Sequence, residues 1–173
     1  VYSNLQTRSY SGHSNDYMDV GHHGSLELPS GTISLSFSAA RLFGEQAILS
    51  KDGNGYENGG HLSVLIKDGT LVVRQQSATE TEWLKVPELI LTPDKTYHLG
   101  LSFGEDGLKV WLDGALVAAE PEFKQGIEAN DRSLVIGGSR SWRSSDDEDA
   151  HSLFEGKIGN VMIFDQELGE SAM

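Results

Sequence analysis

Apolar residues recur at every second position along most of this chain, and the three-to-four-residue spacing of an amphipathic helix is almost missing. Residues 32–38 are the clearest case: Ile33, Leu35 and Phe37 share one side, and Ser34, Ser36 and Ser38 the other. An extended strand with one buried face turns that pattern into a continuous apolar surface. Tyr97, Leu99, Leu101 and Phe103 repeat it. Segments 61–67 and 71–75 flank Asp68-Gly69, and 108–112 and 115–119 flank Asp113-Gly114. Glycine tolerates the positive φ of a two-residue hairpin turn, so each pair is expected to be a β-hairpin. Further strands are expected at 16–20, 46–50, 83–86, 133–137 and 158–164, with a polar lead-in over 1–15 and a short helical turn at 166–173. Many short strands, Gly-rich turns and no crossover helix specify an all-β, two-layer antiparallel sandwich or a barrel. No repeat or linker divides the 173 residues, so 1–173 is read as a single domain able to bury its own core.

Twenty-six acidic against thirteen basic residues give a net charge of −13, without clustered Lys and Arg. Such a surface repels nucleic acid, whose recognition needs a basic patch. No run approaches the roughly 20 apolar residues that would insert across a bilayer. With no cysteine, disulfides, thiolate metal sites and cysteine nucleophiles are excluded. The polar start lacks an export signal, so the chain is read as a monomeric module of a larger secreted or surface protein.

Chemistry concentrates in two long connections. Segment 52–60 supplies Asp52, Asn54, Glu57 and Asn58 among glycines; segment 139–152 supplies Asp146, Asp147, Glu148 and Asp149. Calcium takes six to eight oxygen ligands from flexible loops, which matches this composition; a plain turn and a solvated charge run are the alternative. Trp111 alternates against Val110 and Leu112, and His98 against Leu99 and Leu101, so both belong on an outer sheet face, with Arg74 from the other hairpin as a companion. An outward indole beside polar groups is a platform for sugar rings, unless a loop covers it. Trp142, between Arg140 and Arg143, is placed as a rim contact or a loop anchor. Glycoside hydrolysis needs paired carboxylates held at fixed separation, and no Glu-x-Asp-x-Glu strand motif occurs.

Four stretches carry a family resemblance. Ile48-Leu49-Ser50-Lys51-Asp52 followed by Gly59-Gly60-His61-Leu62, the hairpin Leu108-Lys109-Val110-Trp111-Leu112-Asp113-Gly114, and Leu134-Val135-Ile136-Gly137 followed by residues 154–165 resemble bacterial laminin-G-like and pentraxin modules in order and spacing. The stretch 26–35 extends the likeness over nearly the whole chain. The resemblance implies a concanavalin A-like jelly roll acting outside the cell as a calcium-dependent binding or adhesion module for a glycan or a cell-surface protein. It also implies Asn58, with Asp52, and the acids at 146–149 as the calcium ligands. Pentraxins place acids directly after the 134–137 strand, where this chain has Ser139-Arg140-Ser141. A ligand-free spacer, and more remotely a hydrolase or lyase of the same fold, are the competing readings.

Overall fold

The computed structural model describes residues 2–53, 58–87, 90–140 and 149–169. Thirteen strands are present: β1 Tyr2–Asn4, β2 Arg8–Ser11, β3 Met18–Gly21, β4 Gly31–Ala39, β5 Glu45–Lys51, β6 His61–Lys67, β7 Thr70–Gln76, β8 Thr81–Lys85, β9 Tyr97–Phe103, β10 Leu108–Leu112, β11 Ala115–Glu120, β12 Leu134–Ile136 and β13 Glu155–Phe164. One 3-10 turn, Gly24–Leu26, is the sole helical element among the described residues. The strands form two antiparallel sheets. The seven-stranded sheet runs β1-β13-β4-β9-β10-β11, with β2 pairing β13 alongside β1, and the six-stranded sheet runs β3-β12-β5-β6-β7-β8.

The period-two residues meet between the sheets, as expected of a jelly-roll sandwich. Ile33, Leu35 and Phe37 of β4, with Leu99, Leu101 and Phe103 of β9, pack in one core with Leu62, Val64, Ile66, Leu71 and Val73 of the other sheet. Each side chain so buried contributes about 1.5–3 kcal/mol over exposure. Phe37 and Tyr97 stack within this core, their ring centroids 5.5 Å apart. Both expected hairpins form. Asp68 and Gly69 have φ of 47° and 82°, and Asp113 and Gly114 of 50° and 82°, the double positive φ of a turn whose twist suits the flanking strands.

Three local expectations are corrected. The polar lead-in contains β1 and β2, both on the edge of β13, with Tyr2 opposite Ile163 and Ser9 opposite Lys157. The expected helical turn is absent over 166–169, the described part of that segment. Strict alternation fails in β13, where the register shifts between Gly159 and Met162 and Asn160 adopts φ 52°. This bulge returns Val161 to the core after Ile158, so the strand stays apolar inward on both sides of it.

Gly156 shows how closely β13 and β4 approach. Its φ is +144°, and a Cβ there would lie 2.0 Å from the Ser38 carbonyl oxygen. Gly156→Ala is therefore expected to cost about 2–3 kcal/mol and to lower Tm by roughly 5–10 °C, measured by calorimetry. An unchanged Tm would mean that the two strands separate at no cost.

Candidate functional site

Outward-facing residues of the six-stranded sheet line up in rows across the strands. One row runs through all six: Asp19, Val135, Ser50, Ser63, Arg74 and Trp83 are successive partners. At about 4.8 Å per strand it spans roughly 24 Å. The middle is low, because Ser50 and Ser63 are small and buried. The ends stand taller and carry arginine beside an aromatic ring.

At the β8 end, Trp83 is 45 % exposed. The Lys67 ammonium lies 4.4 Å from its ring centroid and the Arg74 guanidinium 5.6 Å away. The register sets Val72 between these cations and on the same face, where it forms a small buried cluster with Ala47 and Leu65. The indole is thus an apolar surface with two cations against its ring. Lys85, two residues on and exposed on the same face, makes no ion pair among the described residues. Lys67 pairs with Glu45 at 2.9 Å. Burial pushes the Glu45 carboxyl up, but hydrogen bonds from Lys67 and Ser152 outweigh it and hold the group below its usual range.

Arg74 is fixed from beneath. One of its nitrogens donates to Asp52 Oδ2 and another to Gln76 Oε1. Asp52 is 1 % exposed, and both its oxygens are engaged: Oδ2 also accepts from Ser63 Oγ at 2.8 Å, and Oδ1 from the Gly53 N–H at 2.9 Å with His61 Nδ1 at 3.1 Å. A buried carboxylate paired this way aims a guanidinium, and its charge is already balanced by Arg74. The assignment of Asp52 to a calcium site is therefore withdrawn: the residue belongs to the foundation of Arg74.

The other expected residues fall in different places. Trp111 is only 5 % exposed, so it offers no open platform; it stands opposite Gly100. It also lies on the seven-stranded sheet, away from Arg74. His98 is exposed on that sheet too, bonded through Nδ1 to Ser36 Oγ at 2.9 Å. Asn58 and Asp149 are exposed, while Trp142, Asp146 and Asp147 lie outside the described residues. Among the described residues, no three His, Asp or Glu side chains are grouped to hold a metal ion. At the β3 end of the long row, Arg140 donates to Asp19 at 2.8 Å and lies 5.5 Å from the Tyr17 ring centroid. Burial works against its charge, but hydrogen bonds to Asp19 and Tyr17 outweigh that and raise its pKa.

Sequence reasoning missed Trp83 as a surface residue. Its signal was available: counting back through the turn after Gln76 places it opposite Arg74. Glu82, its neighbour, has a raised pKa from burial and from Glu120, but alternation turns it to the opposite face from the indole.

The family profile of the concanavalin A-like lectin/glucanases superfamily matches residues 12–172. The chain belongs to this superfamily. Comparison with curated protein sequences found no match. Among solved structures, this superfamily member is similar to the CBM40 of the Ruminococcus gnavus IT-sialidase bound to α2,3-sialyllactose, with TM-score 0.76, 15 % identity, and 98 % of this chain and 96 % of that chain covered. It is similar to the heptameric SAP-like pentraxin of Limulus polyphemus, with TM-score 0.69, 16 % identity and coverages of 98 % and 79 %. It also matches 28 % of the Streptococcus pneumoniae NanB sialidase chain, with TM-score 0.75, 15 % identity and 99 % of this chain covered.

Proposed function

We propose that this superfamily member is a non-catalytic, extracellular glycan-binding module whose ligand lies on the outer face of the six-stranded sheet, against Trp83. The observation that carries the reading is the half-exposed indole with Lys67 and Arg74 against its ring. Pyranose C–H groups stack on an aromatic face, and neighbouring ammonium and guanidinium groups bind hydroxyls or a sugar carboxylate. Lys67 and Arg74 are paired with Glu45 and Asp52, and Lys85 adds one further positive charge, so in a chain of net charge −13 this face tolerates an acidic glycan. The likeness to a CBM40 bound to sialyllactose supports a carboxylate-bearing sugar as ligand.

The test is isothermal titration with 3′-sialyllactose and with lactose at two salt concentrations. The acidic sugar is expected to bind more tightly, and to lose about threefold to tenfold in affinity as salt rises, because the contacts lie at an exposed surface. Equal affinity for both sugars, independent of salt, would remove the cationic part of the reading.

A calcium ion remains part of the proposal at the acidic segment 146–149, with Asn58 and without Asp52. Carboxylates on a loop suit a hard cation. The ion is assigned to stiffening the rim, and no step of glycan binding is routed through it.

A further inference from the structure

We propose that the outer face of the seven-stranded sheet carries a second glycan groove, for a neutral sugar. It uses none of the residues around Trp83 and would make the module bivalent.

Small residues make the depression. β4 presents Ser36 and Ser38 outward, 8 % and 9 % exposed, and Gly159 of β13 stands opposite Ser36. A Cβ at Gly159 would come 2.3 Å from Thr7 Oγ1, so the missing side chain lets the 5–7 segment close one wall. Two hollows of about 190 and 610 Å³ adjoin here and share Ser38 and Lys157. The larger lies within the size range of small-molecule sites.

The smaller hollow holds a pre-arranged polar group. The Ser36 hydroxyl sits 2.9 Å from His98 Nδ1 and accepts from Asn160 Nδ2 at 3.5 Å. The hydroxyl keeps a proton that it can donate to Nδ1, and in that arrangement Nε2–H is an outward donor. The His98 backbone N–H is itself tied to Asp113 Oδ1 at 2.9 Å, so the ring is fixed at its root. Asn160 is exposed on the β13 bulge, with an amide oxygen to offer. Imidazole, amide and serine hydroxyls, floored by small side chains, match the alternating donors and acceptors of a pyranose edge.

The charge around the groove decides the sugar class. Lys157, Asp94 and Glu155 line the larger hollow, and Glu155 is paired with Arg41 at 3.3 Å. Cations and carboxylates are matched there, so a sugar acid finds no surplus of positive charge, whereas neutral hydroxyls donate to Asp94 and accept from Lys157. The two faces therefore differ in preference: acidic glycan at Trp83, neutral glycan at His98.

The experiment is a ¹H–¹⁵N NMR titration of the whole chain with lactose, cellobiose and maltose in turn, and separately with free sialic acid. At least one neutral disaccharide is expected to shift the amides of Ser36, His98, Gly159 and Asn160 to saturation without moving the Trp83 indole N–H. His98→Ala and, independently, Asn160→Ala should weaken those shifts about tenfold, while Trp83→Ala leaves them intact. No shift at these four amides with any of the three sugars, or identical titrations in both variants, would overturn the groove. Shifts confined to Trp83 would do the same and leave the first site standing. Silence at Trp83 with sialic acid would sink that site and leave the groove.

Discussion

Trp83→Ala is expected to weaken sialyllactose binding about thirtyfold or more, measured by titration calorimetry, while the sandwich stays folded. A central aromatic anchor typically carries about 2 kcal/mol or more of a binding energy, and no second exposed indole stands on this face among the described residues. The structural cost is smaller. Trp83 sits on the edge strand β8, and its cation–π contact with Lys67 is worth about 0.5–1 kcal/mol at an exposed site. Trp83→Phe should recover part of the affinity, since a smaller ring still offers an apolar face. If Trp83→Ala binds as well as the parent, the glycan does not lie on the six-stranded sheet.

The second large effect concerns stability. Asp52→Ala removes the buried carboxylate on which a guanidinium, a serine hydroxyl and a histidine converge. Removing one partner of a buried ion pair costs about 3–5 kcal/mol, or roughly 10 °C or more in Tm for a domain of this size. The same drop is expected in calcium and in chelator, because the carboxylate serves Arg74. Asp147→Asn with Asp149→Asn should behave oppositely, removing only the stabilisation that calcium adds to the parent. A Tm loss in Asp52→Ala that disappears in chelator would return Asp52 to the metal. Glycan affinity should fall along with stability in Asp52→Ala, since an untethered Arg74 is no longer held against the indole.

The sheet architecture was legible because its causes are local. Ile33, Leu35 and Phe37 alternate whatever they face, and Asp-Gly pairs adopt positive φ at low cost wherever two strands need joining. What escaped depends on distant partners. β1 and β2 carry little apolar signal of their own and become strands by pairing with β13, more than 140 residues away. The extra residue at Asn160 shows only as Gly-Asn in an otherwise alternating run, so the inward register of Val161 had to be seen.

The site was half legible for a similar reason. Arg74 was expected on an outer face as a companion of Trp111 and His98, but its strand belongs to the other sheet. Asp52 sits in a Gly-rich, oxygen-bearing stretch, and such composition reads as a cation loop. Only the fold reveals that Arg74, 22 residues on, and Ser63, 11 residues on, return across neighbouring strands to converge on Asp52 Oδ2. Trp111 fails in the opposite sense: alternation gives its side of the sheet and is silent on what covers it.

Because Tyr2 and Ile163 are direct partners in one antiparallel ladder, a load pulling residues 2 and 164 apart is carried first by the three register pairs of β1 and β13. These rungs are arranged to open one after another, as in a zipper. Under tension the module should shed β1 early, at low force, while the six-stranded sheet keeps its shape. Single-molecule extension would register this as a small first step well ahead of global rupture.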